Sequence, residues 1–213
     1  MNPTRWLVFI LVTFAVALTW LMIQPLPAIT ELTKENGPIE SASAIGFAVC
    51  ALAVWTRAGT SVPTKALISI LMLVLTSREL DLDKRLFTRG LFKSSQYLKD
   101  DVPFAEKIIS AIILLSIIGC FIALIIRERH TLRAALSRWH AGTWALAVTL
   151  LFAAIAKSLD GIGRKLAPLG IDVPKDLSRY LSGVEELMEL TIMVLLLFAI
   201  LAWLRRTETN ALR

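Results

Sequence analysis

Residues 108–126 read IISAIILLSIIGCFIALII, nineteen positions without a charge, bracketed by Glu106 and Lys107 on one side and by Arg127, Glu128 and Arg129 on the other. The hydrocarbon layer of a bilayer is about 30 Å thick and takes roughly 20 apolar residues in helical form. A helix satisfies its own backbone hydrogen bonds there, which an isolated extended segment cannot do. The stretch therefore predicts a transmembrane helix. Five further apolar blocks lie around it, at 6–23, 41–55, 66–77, 141–156 and 187–204, with charged stretches between them. The hydrophobic share of 56% exceeds the roughly 45–50% of soluble domains, and the mean hydropathy of +0.67 agrees.

The expected fold is an all-α integral membrane protein, a bundle of about six transmembrane helices near 6–23, 41–56, 62–80, 105–126, 140–160 and 184–204, forming a single transmembrane domain over 1–213. Arg5 precedes the first block, but that block is longer than the roughly 7–15 apolar residues of a secretory signal. It is expected to stay as the first helix.

Six spans put the N-terminus, 57–65, 127–140 and the C-terminal tail on one side. Ten basic residues fall there: Arg5, Arg57, Lys65, Arg127, Arg129, Arg133, Arg138, Arg205, Arg206 and Arg213, opposed only by Glu128 and Glu208. The other side carries the remaining thirteen, intermixed with fifteen acids. Density of unopposed arginine, rather than raw number, places both termini in the cytoplasm. The composition has the look of a bacterial inner-membrane protein.

A shift of 79 residues lays Arg78-Glu79-Leu80-Asp81 onto Lys157-Ser158-Leu159-Asp160, Arg85 onto Arg164 and Glu106 onto Glu185. Each unit reads as an apolar helix ending in a basic-x-x-Asp pair, a charged connection, and a helix that begins with Glu. Repeated helical hairpins in parallel orientation are the expectation. The first hairpin fits loosely, with Glu35-Asn36-Gly37-Pro38-Ile39-Glu40 as its connection.

Counting one span back from Arg205 and Arg206 puts Glu185, Glu186 and Glu189 at the hydrocarbon edge, Glu189 deepest, and the same count from Lys65 and His140 brings Arg78, Glu79, Asp81, Lys157 and Asp160 into that layer. Ionisable groups at such depth cost about 2.5–3.5 kcal/mol on insertion scales, so they usually face a partner or a wet cavity. The candidate ligand- or ion-binding residues are Lys157, Asp160, Glu189, Asp81, Glu185, Glu106, Arg78 and Glu79. Lys157 and Asp160, like Arg78 and Asp81, stand three apart and can neutralise each other on one helix face. Glu185 and Glu189 repel unless a cation lies between them. Small-residue stripes at Ala145, Thr149, Ala153 and Lys157, and at Ala42, Gly46 and Cys50, suit close helix approach and aim Lys157 at neighbouring helices.

Acids in a first turn also suit the helix dipole, and Ser182-Gly183-Val184-Glu185 reads as a capping box. Pro38 before Glu40 and Pro103 before Glu106 look like ordinary helix starts. For Glu40, Glu106 and Glu185 the structural reading is favoured, whereas capping explains neither Glu189 nor Asp160. Residues 82–98 mix Leu82, Leu86, Phe87, Leu91 and Phe92 with Lys84, Arg85, Arg89 and Lys93, as an interfacial helix would. Gly161, Gly163, Pro168, Gly170 and Pro174 make the later connection mostly turn before a short helical piece at 177–181.

Cys50 and Cys120 sit mid-block outside any paired pattern, and His130 and His140 flank a basic loop. No phosphate loop, nucleophile elbow or HExxH is present, and loop arginines account for the net charge of +6, which leaves nucleic acid without support. The leading functional expectation is binding or transport of a cation, proton or lipid headgroup in a carboxylate-rich pocket at the outer face. One alternative is a membrane-embedded enzyme acting on lipid with a divalent cation held by carboxylates. Another is an accessory or assembly subunit. No cofactor is evident beyond that possible divalent cation, and the expected partners are membrane lipids and a membrane-protein partner or second copy.

Overall fold

The structure is a computed structural model that describes residues 3–34, 37–56, 60–137 and 140–211. Glu35 and Asn36 of the first connection, and Arg57, Arg138 and Arg213 of the basic segments, lie outside the described residues, as do the side chains of Arg205, Arg206 and Glu208. The described chain is all-α. Its helices are α1 (Pro3–Met22), α2 (Leu26–Leu32), α3 (Pro38–Ala53), α4 (Val62–Glu79), α5 (Leu82–Leu86), α6 (Ser95–Leu98), α7 (Phe104–Ser137), α8 (Ala141–Leu159), α9 (Ile162–Leu166) and α10 (Lys175–Ala211). Among the described residues four segments are long and apolar enough to cross a membrane: Pro3–Met22, Pro38–Thr56, Phe104–Ala134 and Ala141–Leu159. Proline stands in the first turn of α2, α3 and α4, where its missing N–H is no loss.

The bundle is organised around α10, which packs on α8, α3, α1 and α2. Its sequence explains this position. Met193 and Leu195 stand about 200° apart on a helix and are both buried, so α10 presents apolar surface on opposite sides. On one side Met193 joins Phe47, Cys50, Ala51, Val54, Ile68 and Met72 of the α3–α4 layer. On the other, Leu195 and Ala199 join Leu7 of α1 and Ala145 of α8.

Cross-helix contacts set the directions. The Tyr180 hydroxyl donates to the Gln24 carbonyl (3.0 Å), tying the first turns of α10 to the end of α1. A Cβ on Gly142 would stand 3.3 Å from the Ala202 methyl, so α8 starts beside the far part of α10. Ser69 donates to the Ala51 carbonyl (2.9 Å) and Thr76 to the Ala44 carbonyl (3.5 Å), which makes α3 and α4 antiparallel. α7 packs chiefly on α4. Arg127 donates to Ser61 (3.0 Å) and Thr64 (2.9 Å), and buried Thr64 donates to Glu128 (2.8 Å), pinning α7 at one end of the bundle. Ile108, Ile112, Leu115, Ile118, Phe121 and Ile122 stay exposed along its flank, as lipid-facing residues would.

Two local expectations are corrected. Residues 82–98 are not one interfacial helix; α5 and α6 are separated by a turn at Gly90, whose φ of +88° favours glycine. That turn is held from outside. Glu106 accepts the Thr88 N–H (2.6 Å), the Thr88 hydroxyl (2.9 Å) and the amide of fully buried Gln96 (2.7 Å), and Gln96 in turn accepts the Arg89 N–H (2.9 Å). Arg89 also grips Asp101 through two nitrogens, which holds the Asp101 carboxyl below the usual carboxylate range. The second correction concerns Ser182-Gly183-Val184-Glu185, which does not start a helix: α10 runs through it from Lys175. Gly183 is tolerated mid-helix because α1 and α2 press on it, with Ile29 and Leu21 methyls 3.1 Å and 3.2 Å from where a Cβ would stand. The piece expected at 177–181 is the opening of the same helix.

A shared local device closes α4 and α8. Each is followed by a left-handed residue, Asp81 (φ 51°) or Gly161 (φ 59°), and then by a five-residue helix.

Close packing of α3 on α10 depends on Gly46, where an added Cβ would overlap the Met193 thioether. Gly46→Val is therefore expected to destabilise the protein by about 1–3 kcal/mol through overpacking. Thermal unfolding in detergent should show a lowered Tm, partly restored by Met193→Ala in the same chain.

Candidate functional site

The ends of α4 and α8 and the beginning of α3 meet α10 near Glu185–Glu189, and there the ionisable side chains gather. Arg78, from the last turn of α4, donates through Nη2 to Glu189 Oε1 at 2.6 Å, and its Nη1 lies 3.6 Å from Glu79 Oε1. The Glu79 side chain is only 4% exposed and that of Glu189 18%, whereas Arg78 is 47% exposed. Glu79 also feels Glu40 and Asp81, and Glu186 feels Glu40, Glu79, Glu185 and Glu189. Glu185 interacts with Glu189, Asp160, Lys157 and Arg78. A cation for Glu189 is thus supplied from another helix, and it also acts on Glu185 at longer range.

The self-neutralising pair of Arg78 with Asp81 does not form. Asp81 lies past the end of α4 in the left-handed conformation, so helical i,i+3 geometry does not apply to it, and it pairs with Lys84 at 2.6 Å. Arg78 is left to reach across to α10.

Lys157 does pair with Asp160, at 2.6 Å, and Lys165 donates to the Lys157 carbonyl at 2.6 Å. The Lys157 ammonium holds the Asp160 carboxyl below its usual range. Lys157 is nevertheless 75% exposed at the rim rather than aimed between helices, which corrects the stripe reading. Four residues make 400°, so a fourth-residue stripe drifts about 40° per step and about 120° over three. Ala145 and Thr149 are buried, Ala153 is exposed, and the buried face has passed to Ala156. The α3 stripe behaves likewise: Cys50 is buried and Ala42 is exposed.

Of the candidates read from sequence, Arg78, Glu79, Glu185 and Glu189 come together, Lys157 and Asp160 form the rim, Asp81 neighbours Glu79 but bonds Lys84, and Glu106 serves the 82–103 connection. Glu40 and Glu186 belong to the cluster and were not among those candidates. Glu40 reads as an ordinary first-turn acid, and only the meeting of the α3 start with α10 gives it a neighbourhood.

Glu79, Glu185 and Glu189 thus face one guanidinium, and Glu40 and Glu186 adjoin those acids, with one lysine already engaged by Asp160. Like charges this close repel one another, and a cation among them relieves that repulsion. The acids are strung along Arg78 rather than gathered about a point, and among the described residues no three His, Cys, Asp or Glu side chains could hold a metal ion. An open apolar groove along α1, lined by Val12, Ala15, Val16, Thr19, Trp20 and Ile23, contains none of these residues. No protein-family model matches the chain, and neither a curated protein nor a solved structure matches it.

Arg78→Ala and Glu189→Gln should each cost about 1–3 kcal/mol, the range for hydrogen bonds to charged groups, with half-exposed Arg78 toward the lower end. Their double mutant should recover a coupling on the order of 1 kcal/mol in unfolding measurements. Asp160 gives a pH test. Its folded pKa is depressed, so the pair's stabilisation is present above the unfolded value and is lost as pH falls through the folded one. The Tm difference between wild type and Asp160→Asn should therefore shrink below about pH 4.

Proposed function

We propose that this chain crosses the bilayer six times as one domain, α4 and α10 joining the four apolar spans, and that its carboxylate cluster binds a cation near the outer membrane face. In this reading the protein is a bacterial inner-membrane protein with cytoplasmic termini, and α4–α7 and α8–α10, with α1–α3 as a looser copy, are related parallel hairpins. Alternation of helix directions supports the count, and the left-handed residue plus short helix after both α4 and α8 supports the repeat, with the second copy one residue beyond the 79-residue register. Exposed Leu86, Leu98 and Phe104 beside the basic residues of the 82–103 connection support seating among lipid headgroups.

The observation that carries the cation reading is one tethered guanidinium that faces Glu79, Glu185 and Glu189, with Glu40 and Glu186 beside those acids, so that five carboxylates from three helices share one guanidinium. Arg78 is half exposed on a flexible stem and is bonded to Glu189 alone at short range. It occupies the place of a cation and can leave as one arrives. The same groups suit the ammonium of a zwitterionic headgroup, with Lys157 and Arg78 at hand for its phosphate.

Chemical rescue tests this. Arg78→Ala leaves the carboxylates without their guanidinium, and millimolar ethylguanidinium should raise the Tm of purified Arg78→Ala while leaving wild type unchanged. Sodium chloride at equal ionic strength should not substitute. Absence of rescue by ethylguanidinium, in a variant that still gives a cooperative transition, would sink the reading.

A second reading, an accessory subunit, is favoured by the uncovered flank of α7. It expects a membrane partner to copurify in stoichiometric amount and full tolerance of Asp160→Asn.

A further inference from the structure

Among the described residues, one fully enclosed side-chain oxygen has no hydrogen-bond partner: the hydroxyl of Ser43, which is 1% exposed. A buried hydroxyl left unmade costs about 1–3 kcal/mol and calls for an explanation. Its place in the fold supplies one. On α3, Ala44 lies about 100° to one side of Ser43 and Gly46 about 60° to the other. The Ala44 carbonyl touches Thr76 of α4, and Gly46 abuts Met193 of α10. Ser43 therefore points into the cleft between α4 and α10.

The depth follows from the same contacts. Glu79 stands one turn beyond Thr76 on α4. On α10, Glu186 interacts with Glu40 and Met193 meets Gly46, so Glu189 is bracketed by the same two levels of α3 that bracket Ser43. The orphan hydroxyl thus lies one level below Glu79 and level with Glu189 along α3, with neither carboxylate hydrogen-bonded to it in this structure.

We propose that the cluster is a proton site, in which Glu79 takes a proton from the water at its mouth and, once neutral, turns from Arg78 to donate a hydrogen bond to Ser43. This deepens the cation reading above and rests on it: the proton and the competing cation share one set of carboxylates, so binding of one releases the other. Glu79 is the most enclosed of the acids and is approached by Arg78 only at 3.6 Å. The groups facing it are Glu40 from α3, Arg78 and Asp81 from its own end of α4, and Glu189 from α10, with Glu186 interacting from the same helix. A single guanidinium, committed at 2.6 Å to Glu189, cannot neutralise them all. A carboxyl that becomes neutral loses an acceptor charge and gains one O–H donor, and a serine hydroxyl with a free lone pair suits that donor. The proton comes from outer water as hydronium and returns there when a cation enters, so charge and atoms balance.

Infrared spectroscopy of the full-length protein in lipid nanodiscs at neutral pH tests the assignment. Wild type should show a protonated-carboxyl C=O band that Glu79→Gln abolishes, that Ser43→Ala moves to higher frequency through loss of a hydrogen bond, and that Ser43→Thr leaves in place. Dicyclohexylcarbodiimide, which attacks neutral carboxyls in apolar surroundings, should label Glu79 at neutral pH and lose most of that labelling in alkali. Absence of a Glu79-dependent band, or a band indifferent to Ser43→Ala, overturns the proton site. Ethylguanidinium rescue of Arg78→Ala alongside such a negative would leave the cation reading standing and remove only the proton from it.

Discussion

Charge at the end of an apolar bundle is the constraint that shapes this protein, and the ion pair between Arg78 and Glu189 is the interaction that meets it. Glu189 lies a full turn below the other acids of α10 and is largely enclosed. Without a cation from α4 it would be an unpaired charge in poorly solvated surroundings, the most destabilising arrangement of a buried pair. The pair also ties α4 to α10 directly, although α4 otherwise reaches α10 through α3 and the shared core around Met72 and Met193. Packing and electrostatics thus converge on α10, whose two apolar faces hold the layers together and whose acids collect the helix ends.

How much of this was legible in the sequence depended on the range of the interaction. An uninterrupted run such as 108–126 announces a helix because composition alone decides it, and α7 covers it completely. The pairing of Lys157 with Asp160 is local and was readable from spacing. Arg78 was not, because its partner lies 111 residues away and the nearby aspartate sits in a left-handed turn that no spacing rule anticipates. A fourth-residue stripe extended over three steps aims Lys157 at neighbouring helices, but helical drift carries it off the buried face by then. Glu40 and Glu186 carry no such signal in sequence, since a first-turn acid and a doubled glutamate have ordinary explanations until their neighbours are known.

The connection between α4 and α7 shows polar residues used as local architecture. Gln96 is fully buried and Glu106 accepts bonds from Thr88 and Gln96, so a stretch with the composition of an interfacial helix becomes a pinned turn. That gives two glutamates of similar sequence setting different work: Glu106 orders a loop, while its counterpart in the 79-residue register, Glu185, stands with the cluster. α7 itself is held by this connection at its start, by Leu124 on the α3–α4 core and by Arg127 and Glu128 on Ser61 and Thr64, with Gly119 in its middle meeting nothing within 4 Å.

The central claim is that the carboxylate cluster opens to water on the outer face and favours cations there. Lys157 sits at its rim, exposed, and offers a position for a reporter. In a Cys50→Ala, Cys120→Ala background, Lys157→Cys would be treated in intact spheroplasts with membrane-impermeant methanethiosulfonates, one carrying trimethylammonium and one carrying sulfonate. The account predicts reaction from outside, faster with the cationic reagent, with the preference lost in Glu185→Gln, Glu189→Gln. Labelling only after the membrane is opened, or a preference for the anionic reagent, would contradict it.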